Sequence, residues 1–146
     1  MRTRLLYQSG GLRTFAVVMD KGDEASAELA RFAAENQVTG AGLTAVGACR
    51  EATLGYFDPE TSRYLDIAVD GQCEVLSFVG DVALNGSEPA VHAHAVLGHR
   101  NGSTTGGHVQ RLTVWPTLEV IVTETPPHLR KHIDEETGLA LVRFEE

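Results

Sequence analysis

The sequence contains few cysteines and few basic residues. Its 146 residues include two cysteines and 12 lysines and arginines, against 20 aspartates and glutamates. Cys49 and Cys73 have no CxxC spacing, so we expect two small core residues in a reducing cytoplasm, rather than a disulfide or a thiol nucleophile. The net charge of −8 disfavours non-specific binding to nucleic acid, which requires local positive potential.

Long apolar runs are also missing from the sequence. No segment approaches the ~20 apolar residues that span a bilayer, and the apolar run in MRTRLLYQSG is too short for a signal peptide. Membrane association is therefore not expected, and the predicted location is cytoplasmic. The hydrophobic fraction of 42% is nevertheless large enough for a real core, and the length fits one domain over residues 1–146.

Short strand patterns separated by turn signals run through most of the chain. The turn signals are Gly10-Gly11, Asp70-Gly71, Asn85-Gly86 and Asn101-Gly102. One segment, EASAELARFAAENQ, has apolar residues at helical spacing after a potential N-cap at Asp23. The segment HLRKHIDEE predicts a short C-terminal helix. We therefore predict an α+β domain with a largely antiparallel sheet, one long helix packed on it and the short C-terminal helix.

Four of the six histidines lie in the stretch VHAHAVLGHRNGSTTGGHV, residues 91–109. On a strand, His92 and His94 share one face while the alternate alanines read as core. The Asn101-Gly102 hairpin then returns His108 towards this pair, past Gly106-Gly107, whose lack of side chains permits close backbone approach. Three histidines with open coordination positions are typical of catalytic zinc sites. We therefore predict a divalent metal, with zinc expected, at His92, His94 and His108.

Alternatives to this metal site remain open. The same histidines would also fit a polar cleft in which they are hydrogen-bonded without a metal. His99 has the opposite strand parity and is ranked below the other three. A cupin also carries HxH on a strand, but the glutamate usual after the pair is replaced here by Leu97, Gly98 and His99. Glu74 is a weak catalytic candidate, as a partner of a ligand histidine or as a general base. The alternative is that Glu74 belongs to the polar face of a half-exposed strand.

The order of these landmarks resembles that of a known family. LRTFAVVMDKGDE, GLTAVGACREATLGYFD, GQCEVLSFVGDVALNGSEPAVHAHAVLGHRNGSTTGGHV and LEVIVTE are similar to the plant and prokaryote conserved (PPC) domain, over nearly the whole chain. The resemblance is to the stand-alone prokaryotic, including bacterial, type, which often carries a provisional DNA-binding label. It implies an α+β fold and a homotrimer, and for stand-alone members it implies a metal at the positions of His92, His94 and His108.

The resemblance does not decide between three functions. The first is a homotrimeric metal-binding protein whose three-histidine site is open to water or a small ligand. The second is a metal-dependent hydrolase or lyase that uses metal-bound water. The third is an interaction module associated with DNA or chromatin. The AT-hook core Arg-Gly-Arg-Pro, which reads the minor groove, is absent from the sequence, so direct DNA binding is disfavoured and no further cofactor is expected.

Overall fold

The computed structural model describes residues 1–125 and 130–143. These residues form one helix, α1 (Ala25–Glu35), and eight strands. The strands are β1 (Arg2–Ser9), β2 (Leu12–Met19), β3 (Gly40–Asp58), β4 (Arg63–Asn85), β5 (Glu88–Gly98), β6 (Thr104–Glu124), β7 (Arg130–Ile133) and β8 (Ala140–Val142). The α+β class with a largely antiparallel sheet is therefore confirmed.

All eight strands belong to one sheet. Its order is β1-β2-β6-β3-β4-β7-β8, and β5 pairs with both β4 and β6. The pairings of β3 with β4, β4 with β5, β5 with β6 and β6 with β3 close a circuit of four long strands, all antiparallel. Among the described strands, only the short contact between β4 and β7 is parallel. The circuit brings residues far apart in sequence onto neighbouring positions of one surface.

The helix is shorter than the long helix predicted from the sequence. It has 11 residues, because Asn36 caps its C-terminus and Gln37 adopts a left-handed φ of 56°. Its N-cap is Glu24 and not Asp23, since the Glu24 carboxylate accepts hydrogen bonds from the backbone N–H groups of Ser26 and Ala27. The predicted apolar stripe is confirmed, and its members are all buried: Ala25, Leu29, Phe32 and Ala33.

The C-terminal segment corrects a second prediction. Residues 130–133 form strand β7 where the sequence predicted a short helix, while the first two residues of that predicted helix lie outside the described ranges. Lys131 accounts for the strand, because its backbone pairs with Asn85 and its side chain is buried against the sheet. β7 then pairs with β8 as a small antiparallel hairpin.

Two strands are longer than predicted. β3 and β4 each run through glycine or turn-like positions that the sequence pattern divides into separate strands. Asp70-Gly71 is not a turn; instead the chain continues past Gly71, at φ 87°, next to an irregularity in the pairing with β3. This irregularity behaves as a bulge that bends the strand without ending it.

The core lies between α1 and one face of the sheet. On β5, the buried residues Ala93, Ala95 and Leu97 point into it, which leaves His92 and His94 on the opposite face. The edge-to-face contact of Phe15 and Phe32, with ring centroids 5.2 Å apart, joins the helix to β2. Within the described ranges, no helix is both long and apolar enough to cross a membrane.

Candidate metal centre

Two strands position the three histidines. His92 and His94 alternate with core alanines on β5, and His108 on β6 is the direct cross-strand partner of His94. Directly paired residues of antiparallel strands project to the same side of the sheet. The predicted convergence across the Asn101-Gly102 hairpin is therefore present in the fold.

The three imidazole rings form a compact triangle. Ring centroids are 5.2 Å apart for His92 and His94, and 5.3 Å apart for each of the pairs with His108. One ring nitrogen from each histidine lies within 4.8 Å of those of the other two. Two nitrogens bound to one zinc at ~2.0–2.1 Å are at most about 4.2 Å apart. Side-chain shifts of about 1 Å would therefore suffice to bring all three onto one ion.

A carboxylate and an ammonium lie beside His92. Asp81 on β4 is the cross-strand partner of His92, and its Oδ2 lies 3.4 Å from Nδ1 of the imidazole. The other carboxylate oxygen lies 3.1 Å from Nζ of Lys131, whose side chain is only 4% exposed. Burial alone would raise the pKa of Asp81, but hydrogen bonding to His92 and Lys131 outweighs it and lowers the pKa below its ordinary value. An anionic Asp81 favours a proton on Nδ1 and leaves Nε2 of His92 free for a ligand.

His108 is enclosed by an aromatic ring and by backbone. Tyr64 stacks on its imidazole with centroids 4.6 Å apart and planes 23° apart. Gly55 makes room for that ring, since a Cβ there would lie 2.7 Å from Cδ1 of Tyr64. Within the described parts of the chain, the buried Nδ1 of His108 has no hydrogen-bond partner. A buried polar atom without a partner is costly, so this position calls for a ligand.

Burial holds two of the three histidines, His94 and His108, in the form that binds metals. It lowers the pKa of His108 to about 4, with smaller contributions from the positive charges of His92, His94 and Lys131. It also lowers the pKa of His94, helped by His92. Because a metal displaces the proton of an imidazole, ligands that are already neutral at pH 7 bind without that competition. The donor set and its protonation thus fit a divalent ion.

The histidines open into a cleft of about 450 Å³, here called the histidine cleft. Tyr64 and Lys131 form its polar border beside the three imidazoles. The remaining wall is aliphatic and comes from the start of β5 and from the segment around β8: Ala90, Val91, Leu139, Ala140 and Leu141. The volume is within the range of small-molecule sites.

Two glycines before His108 allow its strand to approach its neighbours. A Cβ on Gly107 would lie 2.8 Å from the carbonyl oxygen of Gly55, and one on Gly106 would lie 3.2 Å from that of Ala95. Any other residue at position 107 would push β6 away from β3 at the point where His108 is held. This agrees with the prediction that these glycines serve the backbone geometry of the site.

Comparison with known proteins gives the chain a family. The family model described as the Plants and Prokaryotes Conserved (PCC) domain matches residues 7–126. The chain belongs to this family. The resemblance noted in the sequence is thus confirmed, since solved structures of this family are also called plant- and prokaryote-conserved (PPC) proteins. None of the curated proteins matches the chain significantly.

Solved structures of PCC relatives share the fold over almost the whole chain. A PPC protein from Pyrococcus horikoshii is 27% identical, with a TM-score of 0.86 and coverage of 96% of this chain and 99% of the other. A metal-containing protein from Archaeoglobus fulgidus is 30% identical, with a TM-score of 0.84 and coverage of 98% and 99%. A protein from Bacteroides thetaiotaomicron, provisionally named as DNA-binding, is 21% identical, with a TM-score of 0.85 and coverage of 96% of each chain.

Glu74 lies apart from the three histidines in this PCC domain. It pairs with Gly98 and borders a second cleft of about 480 Å³ together with Gln72, His99 and Arg100. Val79, the partner of His94, is five residues further along β4, which is about 16 Å in an extended strand. In the described part of the chain, Glu74 is therefore too distant to hydrogen-bond any of the three histidines, and its catalytic role stays a prediction.

His99 follows the end of β5 and has partners of its own. Its Nδ1 lies 3.3 Å from Sγ of Cys73, and its Nε2 lies 2.7 Å from the hydroxyl of Thr105. Cys49 and Cys73 are both free and buried, as expected for core residues. Burial raises the pKa of both thiols, that of Cys49 to about 11, which opposes a role as nucleophile.

The sequence reasoning missed the three neighbours of the histidines. Asp81 had a recognisable signal, because counting back across the Asn85-Gly86 hairpin places it on the same face as His92 and His94. Tyr64 and Lys131 had none, since both reach the cleft through tertiary contacts of distant strands.

Proposed function

We propose that this PCC domain binds one divalent metal ion, with zinc expected from the ligand set, through His92, His94 and His108. The observation that carries the proposal is the triangle of three converging imidazoles whose buried member, His108, has an unpartnered Nδ1 within the described residues. The metal-containing relative at 30% identity adds support. Three neutral nitrogen ligands fit zinc and leave a position for water or a small ligand.

Each protein group in the cleft has a defined task in this proposal. Asp81 orients His92 through Nδ1, and Tyr64 holds the plane of His108 by stacking. A bound divalent metal would supply Lewis-acid polarisation of an oxygen ligand and a lowered pKa of its water. A hydrolase or lyase would also need a general base, yet the described lining of the cleft includes no carboxylate, and Asp81 behind it already faces His92 and Lys131. Binding of a small ligand is therefore preferred over catalysis.

The elemental content of the purified protein tests this proposal. We expect about one equivalent of zinc per chain in protein purified without chelators, and we expect His94→Ala and His108→Ala to lose it. His132→Ala is the matched control, because His132 is exposed on β7 and outside the histidine cleft. Metal-free wild-type protein after incubation with zinc, or full zinc content in both cluster variants, would contradict the proposal.

We also propose that three chains assemble, as the family resemblance implies. The sheet face that carries His94 continues into apolar side chains that are about half exposed, among them Val46, Leu76, Val79 and Ile121. Such a patch is typical of a surface that is covered by another protein. Light scattering should give a mass three times the 15.7 kDa of one chain. The mass of a single chain would exclude the trimer.

Direct DNA binding is the weaker alternative. It rests on the provisional names of relatives, while the net charge of −8 opposes attraction to phosphates. We expect little binding of duplex DNA, and a salt-dependent mobility shift at low ionic strength would reverse this preference. The two free buried cysteines support the cytoplasmic location expected from the sequence.

A further inference from the structure

The histidine cleft carries one ionised side chain besides the histidines. Among the described residues that line it, Lys131 alone has a formal charge at neutral pH. Its counter-ion, Asp81, is not one of the lining residues, because it lies behind His92 on β4. The wall of the cleft is therefore positive even though the pair as a whole is neutral.

The pairing of Lys131 with Asp81 does not use all of the ammonium donors. Nζ lies 3.1 Å from Oδ1 of Asp81, yet within the described residues that oxygen has no well-aligned hydrogen bond. An ammonium has three N–H donors, and a single carboxylate oxygen satisfies one at best. At least one donor of a side chain that is 4% exposed is thus available to an acceptor in the cleft.

The rest of the cleft wall is apolar, and it favours a ligand that has an apolar part. It is formed by Val91, Leu139 and Leu141 with two alanines, and Leu141 is 42% exposed at the mouth. A short aliphatic chain would lose contact with water there without leaving a polar group unpaired. The cleft thus has a positive end and an apolar side within one volume of about 450 Å³.

We propose that the histidine cleft binds a small aliphatic monocarboxylate, with Lys131 as the residue that selects for the negative charge. This inference rests on the proposed metal site, since the same carboxylate would face the open position beside the three imidazoles. Apart from the metal position, Tyr64 and the Lys131 ammonium, the described wall is aliphatic, which favours one carboxylate on an aliphatic chain over a ligand with a second charged group. A hydrogen bond from a charged donor typically contributes a factor of about ten or more in affinity.

Calorimetric titration of the zinc-loaded protein tests this selectivity. The probes are acetate, butanoate and hexanoate, with butanamide as the neutral probe of matched shape. We expect butanoate to bind more than tenfold more tightly than butanamide, because the Lys131 ammonium contributes about tenfold and the zinc charge adds to it. Each added methylene should improve affinity by about twofold to fourfold, since a fully buried methylene contributes up to ~0.8 kcal/mol.

Variants of Lys131 assign the charge preference. Lys131→Met should reduce the preference for butanoate over butanamide about tenfold, to the preference that the zinc charge alone supplies, while Lys131→Arg should retain most of it. Lys21→Met is the matched control, because Lys21 is the other lysine of the chain and lies over the ring of Trp115, outside the cleft. Zinc content and melting temperature are measured for every variant.

The possible outcomes separate this inference from the metal proposal. If the wild-type protein holds zinc but binds butanamide as well as butanoate, the monocarboxylate inference is wrong and the metal site stands. An unchanged preference in a folded Lys131→Met protein overturns the assignment to Lys131. If Lys131→Met fails to fold, the comparison of wild type with Lys131→Arg decides, together with the charge preference of the wild type. Wild-type protein without zinc overturns both proposals.

Discussion

Replacing Asp81 by asparagine tests how the protein holds His92. The substitution keeps the shape of the side chain but removes the negative charge that favours a proton on Nδ1 of His92 and that faces the Lys131 ammonium. An asparagine can present its NH₂ group to His92 and so favour the wrong tautomer. We therefore expect Asp81→Asn to weaken zinc binding even though all three ligands remain.

The size of the effect follows from the geometry. Groups that orient a ligand histidine typically contribute 10- to 100-fold in metal affinity. The Nδ1 to Oδ2 distance of 3.4 Å exceeds the usual 2.7–3.2 Å of a hydrogen bond, which favours the lower end of that range. We expect a loss of about tenfold, which corresponds to about 1.4 kcal/mol.

The assay is competition for zinc between the protein and a coloured chelator at pH 7. Asp66→Asn is the control, because Asp66 is an exposed aspartate that accepts a hydrogen bond from Gln110. Thermal unfolding of the metal-free forms shows how much of the change comes from leaving the Lys131 ammonium unpaired. Asp81→Asn with a zinc affinity within about twofold of wild type would refute the proposed role of Asp81.

Two further predictions concern the metal-free protein and the backbone of the site. The pKa of His108 is about 4 in the folded state and near 6.5 in the unfolded state, so the unfolded state binds more protons between these values. The free energy of unfolding of the metal-free protein should therefore be highest above pH 6.5 and fall towards pH 4. In urea unfolding, His108→Gln should reduce this dependence on pH, and an unchanged dependence would contradict the assignment of the lowered pKa to His108. Gly107→Ala should lower the melting temperature and the zinc affinity, because the new Cβ would meet the carbonyl oxygen of Gly55, whereas Gly42→Ala has open space and should change little. Equal effects of the two substitutions would contradict the close approach.

The histidine cluster could be predicted because strand parity and one hairpin determine it. His92 and His94 are two residues apart on one strand, and Asn101-Gly102 returns His108 to the same face. Both signals are local, and no distant contact is needed to interpret them. The apolar stripe of the helix was predictable for the same reason.

Lys131 and Tyr64 could not be predicted as parts of the site, because they reach it through contacts between distant segments. Lys131 reads as part of a charged helical pattern, yet burial against β4 makes it a strand residue. Asp81 could be predicted in part, because hairpin parity places it on the face of His92, but only the observed register puts it directly opposite that histidine. In that register Asn85 pairs with Glu88, so the loop consists of Gly86 and Ser87. The turn therefore lies one residue further along the chain than the Asn85-Gly86 signal suggests.

Anomalous scattering at the zinc absorption edge would show whether a metal lies between the three histidines. Crystals of protein purified without chelators should show one strong peak per chain, about 2.0–2.1 Å from a nitrogen of each of His92, His94 and His108. His99, with Cys73 and Thr105 already at its two nitrogens, should have no peak beside it. Crystals of zinc-incubated protein without a peak between the three histidines would contradict the account.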